Sequence, residues 1–315
     1  MKRYLALRVL VTFPVVLLVG IIAFSLVQIT PGDPALAVAG DSAPPEVIRR
    51  FQAKLGTDQP FITQFRNWVL QLAQGDLGTS LFSDRSVWAL IAPRIEPTLS
   101  IAIQTVILST LIGVTAGVLA AWQAGRILDR VIMFLAVLGF SVPGFFIGTL
   151  AIWVFVVHWE VFPILGFTRI SEGGLLNHLH SLALPVIISS VLGAALKARI
   201  ARSSMLEVLN EDFIRTARSK GLTERVVYMR HALRAASIPI VTILGFSVAA
   251  ALTGAVITET LFAIPGLGRL MVESIARRDY PIIQALLMLS ALVYLIVNLV
   301  IDIFYAYLDP RIRYV

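Results

Sequence analysis

The sequence predicts an all-α membrane protein: six transmembrane helices, a helical insertion on one side of the bilayer and a charged helical hairpin on the other. Three observations lead there. The chain is 57% hydrophobic and only 14% charged, with a mean hydropathy of +0.85, which excludes an ordinary soluble domain. Six apolar segments recur along it, most of them of the length that a bilayer core of about 30 Å demands of a helix. Positive charge is concentrated on one set of the connecting segments, the pattern that orients a membrane protein.

The first span is Val9–Ile29, and Lys2, Arg3 and Arg8 before it hold the N-terminus in the cytoplasm. It is too long for the apolar part of a signal peptide, and Thr30-Pro31-Gly32-Asp33-Pro34 offers no small-residue cleavage pattern. Residues 1–29 are therefore the cytoplasmic N-terminus and first span, and residues 30–97 an extracytoplasmic insertion. Inside the insertion, PEVIRRFQAKLG and ITQFRNWVLQLAQG are amphipathic helices separated by Thr57-Asp58-Gln59-Pro60. Phe51 and Leu55 on the first, and Phe65, Trp68, Val69 and Leu72 on the second, make apolar faces expected to pack together. The insertion is either a structural cap or a landing surface for a soluble partner.

Residues 98–308 form the core. Its spans are Leu99–Trp122, Val131–Val157, Leu182–Leu196, Ile238–Ile257 and Ile282–Ile303. The Leu182–Leu196 run is short, so its helix is expected to continue past Lys197 and Arg199 into the cytoplasm. Gly113, Ala116 and Gly117 in one span, and Gly139, Ser141, Gly144 and Gly148 in the next, permit close helix approach. Ser141-Val142-Pro143-Gly144 should break its helix, as a packing kink or as a hinge lining a pathway. The backbone groups so freed must be satisfied by protein or by a water-filled cavity. Gln104, Thr105 and Asn298 are candidates for a polar route, and Asp302 belongs near the cytoplasmic interface.

The most informative segment is the hairpin within residues 207–236. Asn210 is placed as an N-cap, Glu211 and Asp212 fall in a first helical turn, Arg218 and Lys220 in the last, and Gly221 ends the helix. Thr223 can cap a second helix running through Arg234. From Lys197 to Arg234 there are nine basic and four acidic residues, the largest local bias in the chain. That places the hairpin in the cytoplasm, either as a solvated loop or as a surface that holds a partner. The segment Glu259–Pro281 is re-entrant or interfacial, and residues 309–315 are a cytoplasmic tail carrying Arg311 and Arg313.

Several chemistries are excluded. There is no cysteine, hence no disulfide and no thiolate metal site. The four histidines form no metal-ligand pair on one helix face, and His178 and His180 are expected as a surface pair in an outer loop. Gly139-Phe140-Ser141-Val142-Pro143 has proline where a serine-nucleophile turn needs glycine. No Walker-A sequence occurs, so the chain has no ATP chemistry of that kind. No metal site and no cofactor bound by this chain are expected. The net charge of +7 is a cytoplasmic-face property, and no aromatic–basic interleaving suggests nucleic acid. An ion-coupled secondary transporter remains the alternative of another class, although no intramembrane acid cluster suggests ion coupling.

Five stretches carry a resemblance. RTARSKGL and RHALRAASIP in the hairpin, Thr30-Pro31-Gly32-Asp33-Pro34, Gly75-Asp76-Leu77-Gly78-Thr79-Ser80, Pro265-Gly266-Leu267-Gly268-Arg269 and the closing Asp309-Pro310-Arg311-Ile312-Arg313-Tyr314 occur in that family's order and spacing, the hairpin pair counting as one. Together they resemble the ATP-binding-cassette (ABC) importer permeases, most closely the dipeptide, oligopeptide and glutathione branch. The resemblance implies a type I importer permease in the bacterial inner membrane, working as a heterodimer with a second, related permease. It further implies two cytoplasmic ATPase subunits and an extracytoplasmic peptide-binding protein; nickel or another small solute is the alternative cargo. Within the EAA-like loop, it implies a coupling helix over Glu211–Lys220, with Asp212 in its first turn and Gly221 at its end. There Phe213, Ile214 and Ala217 would make apolar contact with an ATPase, and Arg215, Arg218 and Lys220 would orient the helix. The acidic Glu-Ala-Ala of other importers is replaced by Arg215-Thr216-Ala217. Ser141, Pro143 and Gly144, with Gln104 and Asn298, become pathway candidates. Phe262, Pro265, Gly266 and Gly268 become an outer scoop, with a plain interfacial anchor as the other reading of that segment.

Overall fold

The computed structural model describes residues 2–29, 34–39, 43–163 and 166–308. Thr30-Pro31-Gly32-Asp33 and Asp309–Tyr314 of the family-like stretches lie outside the described residues. Among those described, helices succeed one another with no strand between them. They are α1 (Lys2–Ile29), α2 (Pro34–Ala39), α3 (Pro45–Leu55), α4 (Phe61–Ala73), α5 (Val87–Trp122), α6 (Ile127–Ser141) and α7 (Gly144–Ala151), which continues as a π-helix over Ile152–His158. Then come α8 (Ile170–Val208), α9 (Asp212–Ser219), α10 (Glu224–Val226), a π-helical stretch Val227–Ala232, α11 (Leu233–Ala235), α12 (Ser237–Leu261), α13 (Leu267–Arg277) and α14 (Tyr280–Leu308).

Four helices, α5, α8, α12 and α14, are long and apolar enough to cross a membrane. A fifth crossing exists if α6 and the Gly144–His158 helix count as one, and these two meet at 98°. The expected break at Ser141-Val142-Pro143-Gly144 is thus present. Val142 is extended, Pro143 precedes the new helix, and Ser141 Oγ folds back onto the Val137 carbonyl at 2.8 Å. For α1, the described apolar part is Pro14–Leu26, shorter than a full span.

The chain divides into two compact units. One contains residues 1–95 and 269–299. There α4 turns Phe61, Phe65 and Trp68 toward Phe24 of α1, with ring centroids 5.4 Å from Phe24 in each case. Helix α3 packs on α2. Its expected packing on α4 through Phe51 and Leu55 falls on side chains outside the described residues. Asp76 makes a tight turn by accepting from Gly78 N at 2.8 Å. Ser80 Oγ donates to Asp279 Oδ2 at 2.6 Å, joining the end of the Gly75–Ser80 stretch to the entrance of α14.

The other unit contains residues 96–268 and the last turns of α14. Helix α8 is its hub, packed by α6, α7 and α12. It also meets α5 through glycine: a Cβ on Gly113 would lie 2.7 Å from the Ala194 carbonyl oxygen, and one on Gly117 would lie 2.5 Å from that of Ala198. Only backbone can occupy those points, so the two helices approach as small residues allow in a membrane. An ion pair secures the same hub. Arg202 of α8 donates through Nε and Nη2 to Asp129 of α6 at 2.5 and 2.7 Å, and Gly125 N donates to the same carboxylate at 2.9 Å.

Candidate functional site

Two features of the second unit are candidate sites: the basic hairpin and a cavity among α5, α7, α8 and α12.

Helix α9 begins one residue later than its charges suggest. Glu211 is the N-cap, without a side-chain cap bond, and Asn210 donates back to the Leu206 carbonyl at 3.0 Å instead of capping. The end is as expected, with Gly221 at φ +78°, a conformation glycine adopts at little cost. The second helix begins after Thr223, as α10, and passes through the π-helical stretch before Leu233. Arg218 donates to both Glu224 oxygens, at 2.8 and 3.2 Å, which closes the hairpin. That carboxylate holds the Arg218 guanidinium still further above its ordinary range.

The apolar face of α9 is divided. Ile214 and Ala217 are buried in this chain's own core cluster, with Val118 and Ala121 of α5, Ala201 and Met205 of α8, and Ile240 of α12. Phe213 is 45% exposed. Of the three residues expected to offer apolar contact, two therefore anchor the helix and one faces outward. The physical reason is elementary: an eight-residue helix has no stability alone and must bury one face to persist. Asp212, Arg215, Lys220 and Gly221 are exposed. Arg215 reaches Asp212 at 3.3 Å, a solvated pair worth little.

The cavity has a volume of about 340 Å³, within the range of small-molecule sites at roughly 300–1,000 Å³. Of the pathway candidates, Thr105 and Gly144 line it. Gln104 is half-buried on α5 and does not line it, and Ser141 and Pro143 are exposed at the bend. Asn298 is half-buried in the other unit. Phe262 of the expected scoop contributes to the cavity wall.

The rest of the scoop is a tight return of the chain onto α12. Ala263 takes φ +52°, and Ile264 N donates to the Glu259 carbonyl at 2.8 Å. A Cβ on Gly266 would collide with the Glu259 carboxyl group, and one on Gly268 would fall 2.5 Å from the Val256 backbone. Pro265 stays exposed. Thr98 of α5 closes the turn, donating to Glu259 Oε1 at 2.5 Å and accepting from Leu267 N at 2.8 Å.

Sequence reasoning missed several residues. Lys197, the first residue of the charged segment, is buried rather than solvated, donating to Ser109 Oγ at 2.6 Å. Length alone gave no signal, since no Asp, Glu, Lys or Arg occurs between Gly173 and Leu196 and that stretch is itself long enough for a span. His178 is not a surface residue. It is buried on α8, with Nδ1 2.8 Å from the Thr168 carbonyl oxygen and its ring edge-on to Phe167. His180 alone of that pair is exposed.

Residues 113–314 match the family described as binding-protein-dependent transport system inner membrane component, and residues 1–102 match the N-terminal component of the same systems. The chain belongs to this family. Like other members it is a multi-pass inner-membrane transport component. Over 314 residues it is 42% identical to the probable peptide ABC transporter permease protein y4tP of Sinorhizobium fredii (strain NBRC 101917 / NGR234), covering 100% of both chains. It is 36% identical to the dipeptide transport system permease protein DppB of Escherichia coli (strain K12), covering 100% of this chain and 99% of that one. A solved chain of the MetNI methionine ABC transporter, in an inward-facing conformation, shares the fold with a TM-score of 0.58 and 17% identity. That match covers 70% of this chain and 96% of the other.

Proposed function

We propose that this chain is a transmembrane permease subunit of a bacterial ABC importer for peptides. The observation that carries the reading is end-to-end similarity to proteins named as peptide and dipeptide permeases. In this reading the chain crosses the inner membrane six times with both termini in the cytoplasm, α1 and the bent α6–α7 pair each counting as one crossing. It pairs with a second, related permease, and an extracytoplasmic binding protein delivers the peptide. ATP is hydrolysed by two separate ATPase subunits.

The hairpin supplies the mechanical connection. Helix α9 is anchored by Ile214 and Ala217 and presents Phe213, flanked by Arg215, Arg218 and Lys220, to a groove on an ATPase. Because Ile214 and Ala217 share one core cluster with Ala201 and Met205 of α8, a push on α9 is delivered to the helix that walls the cavity. The chain's part is to convert ATPase closure into alternating access, with no covalent chemistry of its own.

Reconstitution tests the reading. The purified chain alone in proteoliposomes should neither hydrolyse ATP nor accumulate peptide. Both activities should appear with the partner permease, the ATPases and the binding protein present. Peptide uptake driven by a proton or sodium gradient, with this chain the only protein, would overturn the proposal in favour of a secondary transporter.

A further inference from the structure

The cavity wall is mostly carbon, and its polar groups converge on one place. Lys197 lines it while being only 2% exposed. Its ammonium donates to Ser109 Oγ at 2.6 Å, and Ser109 in turn donates to the Val106 carbonyl at 3.2 Å. That uses one of three ammonium hydrogens. Among the described residues no carboxylate pairs with it. One turn away on α5, Thr105 also lines the cavity, and its Oγ1 is buried without a hydrogen-bond partner. Gly193 of α8 also lines the cavity and lets α5 approach closely, for a Cβ there would lie 3.3 Å from Ser109 Cβ.

This arrangement is costly unless something completes it. A buried ammonium with one neutral acceptor is poorly solvated, and an apolar side chain would fill the position at less expense. A charge within a membrane bundle faces a partner or a pathway. The missing group must accept hydrogen bonds, carry negative charge and enter and leave. The geometry points to the carboxylate of the translocated peptide: one oxygen accepts from Lys197 Nζ and the other from Thr105 Oγ1. Lys197 Nζ meets α5 at Ser109, one helical turn from Thr105, so the two donors line the cavity from neighbouring turns. The cavity is thus a transit site for the peptide's carboxylate end. This inference rests on the peptide-importer reading above and adds to it the contact that this chain makes with its cargo.

The test uses the complete importer in proteoliposomes, with alanyl-alanine as the probe. Lys197→Met should lower its uptake more than about tenfold, since a buried charge pair loses one partner, whereas Lys197→Arg should stay within about threefold of wild type. Thr105→Val, nearly isosteric, should lower uptake by about threefold or more through loss of one hydrogen bond. The chain has no cysteine, so Ala251→Cys, at a small residue that also lines the cavity, gives a unique thiol and leaves Lys197 in place. Its modification by 2-aminoethyl methanethiosulfonate should be slowed by millimolar alanyl-alanine and not by the C-terminal amide of that dipeptide. A merely structural lysine would show no such difference. Wild-type uptake by Lys197→Met, equal protection by the amide, or no protection by either peptide would overturn the proposal. Protection would fail in the same way if an acidic residue of the partner permease occupied the site. If the wild-type importer accumulates no peptide at all, the importer reading itself fails and this site assignment falls with it.

Discussion

Phe213 and Ile214 are adjacent on α9, yet removing one should cost docking and removing the other should cost folding. Phe213 is 45% exposed and Ile214 is fully buried, at 0%. A phenylalanine offers about 200 Å² of surface, so roughly 90 Å² remains available to a partner. At about 25 cal/mol per Å² that area is worth about 2 kcal/mol, or about thirtyfold in association with an ATPase. Phe213→Ala should therefore weaken ATPase binding by that order while leaving the permease stable. Phe213→Asp should act more strongly, because an unpaired charge at a docking surface costs about 2–5 kcal/mol. Ile214→Ala removes packing against Met205 and Ala201 and should lower stability by about 2–5 kcal/mol. Two measurements separate the variants: capture of ATPases by tagged permease in mild detergent, and thermal unfolding of the permease alone. Unchanged ATPase affinity for Phe213→Ala would refute the assignment of α9 as the docking helix. An unchanged melting temperature for Ile214→Ala would refute the division of its faces.

Three further outcomes are expected. Arg202→Met should destabilise by about 3–5 kcal/mol, because Asp129, 4% exposed, would keep only the Gly125 N–H. Asp129→Asn should cost about 1–2 kcal/mol, because Arg202 at 29% exposure can reach water; the reverse order in chemical unfolding followed by tryptophan fluorescence would contradict the pairing. Gly266→Ala should cost about 1–3 kcal/mol by driving a methyl into the Glu259 carboxyl, whereas Gly254→Ala, with nothing within 4 Å, should be neutral or slightly stabilising in the same assay. For topology, single cysteines at Asn67 and His180 should react with an impermeant thiol reagent in intact cells, and one at Ser219 only after permeabilisation; outside labelling at 219 would overturn the orientation.

Much of the fold was legible because the bilayer allows few alternatives. Apolar run length located α5, α12 and α14, and the proline and glycine at 143 and 144 located the bend. The amphipathic periods of α3 and α4 placed those helices with little error. What remained hidden were contacts between distant residues. Nothing local in Arg202 announces Asp129, and nothing in Thr98 announces Glu259, 161 positions away. The hairpin shows the same limit at finer scale. Its charge order predicts a helix, but only tertiary packing decides that Ile214 points inward and Phe213 outward. A charge conventionally ends an apolar run, and nothing local in Lys197 announces that a hydroxyl on another helix and a cavity receive it.

The placement of Lys197 bears on how the two features of this unit can communicate. Met205 of α8 belongs to the cluster that anchors α9, and Lys197, eight residues earlier on the same helix, lines the cavity. Eight residues of α-helix span about 12 Å. No proline or non-helical residue lies between those positions, the proline inside α8 being Pro185 and the irregular glycine Gly174. This segment is also fixed laterally, by Gly113 and Gly117 of α5 on one side and by the Asp129–Arg202 pair on the other. A displacement of α9 must then either break its own core cluster or move α8 with it. If α8 moves relative to α5, Lys197 shifts against Ser109, because the hydrogen bond between them crosses from one helix to the other. Weakening the attachment of α9 at Ile214 and removing the ammonium at Lys197 should therefore impair transport by separable routes. The first should uncouple ATP hydrolysis from uptake for any cargo. The second should act on peptides that carry a free carboxylate.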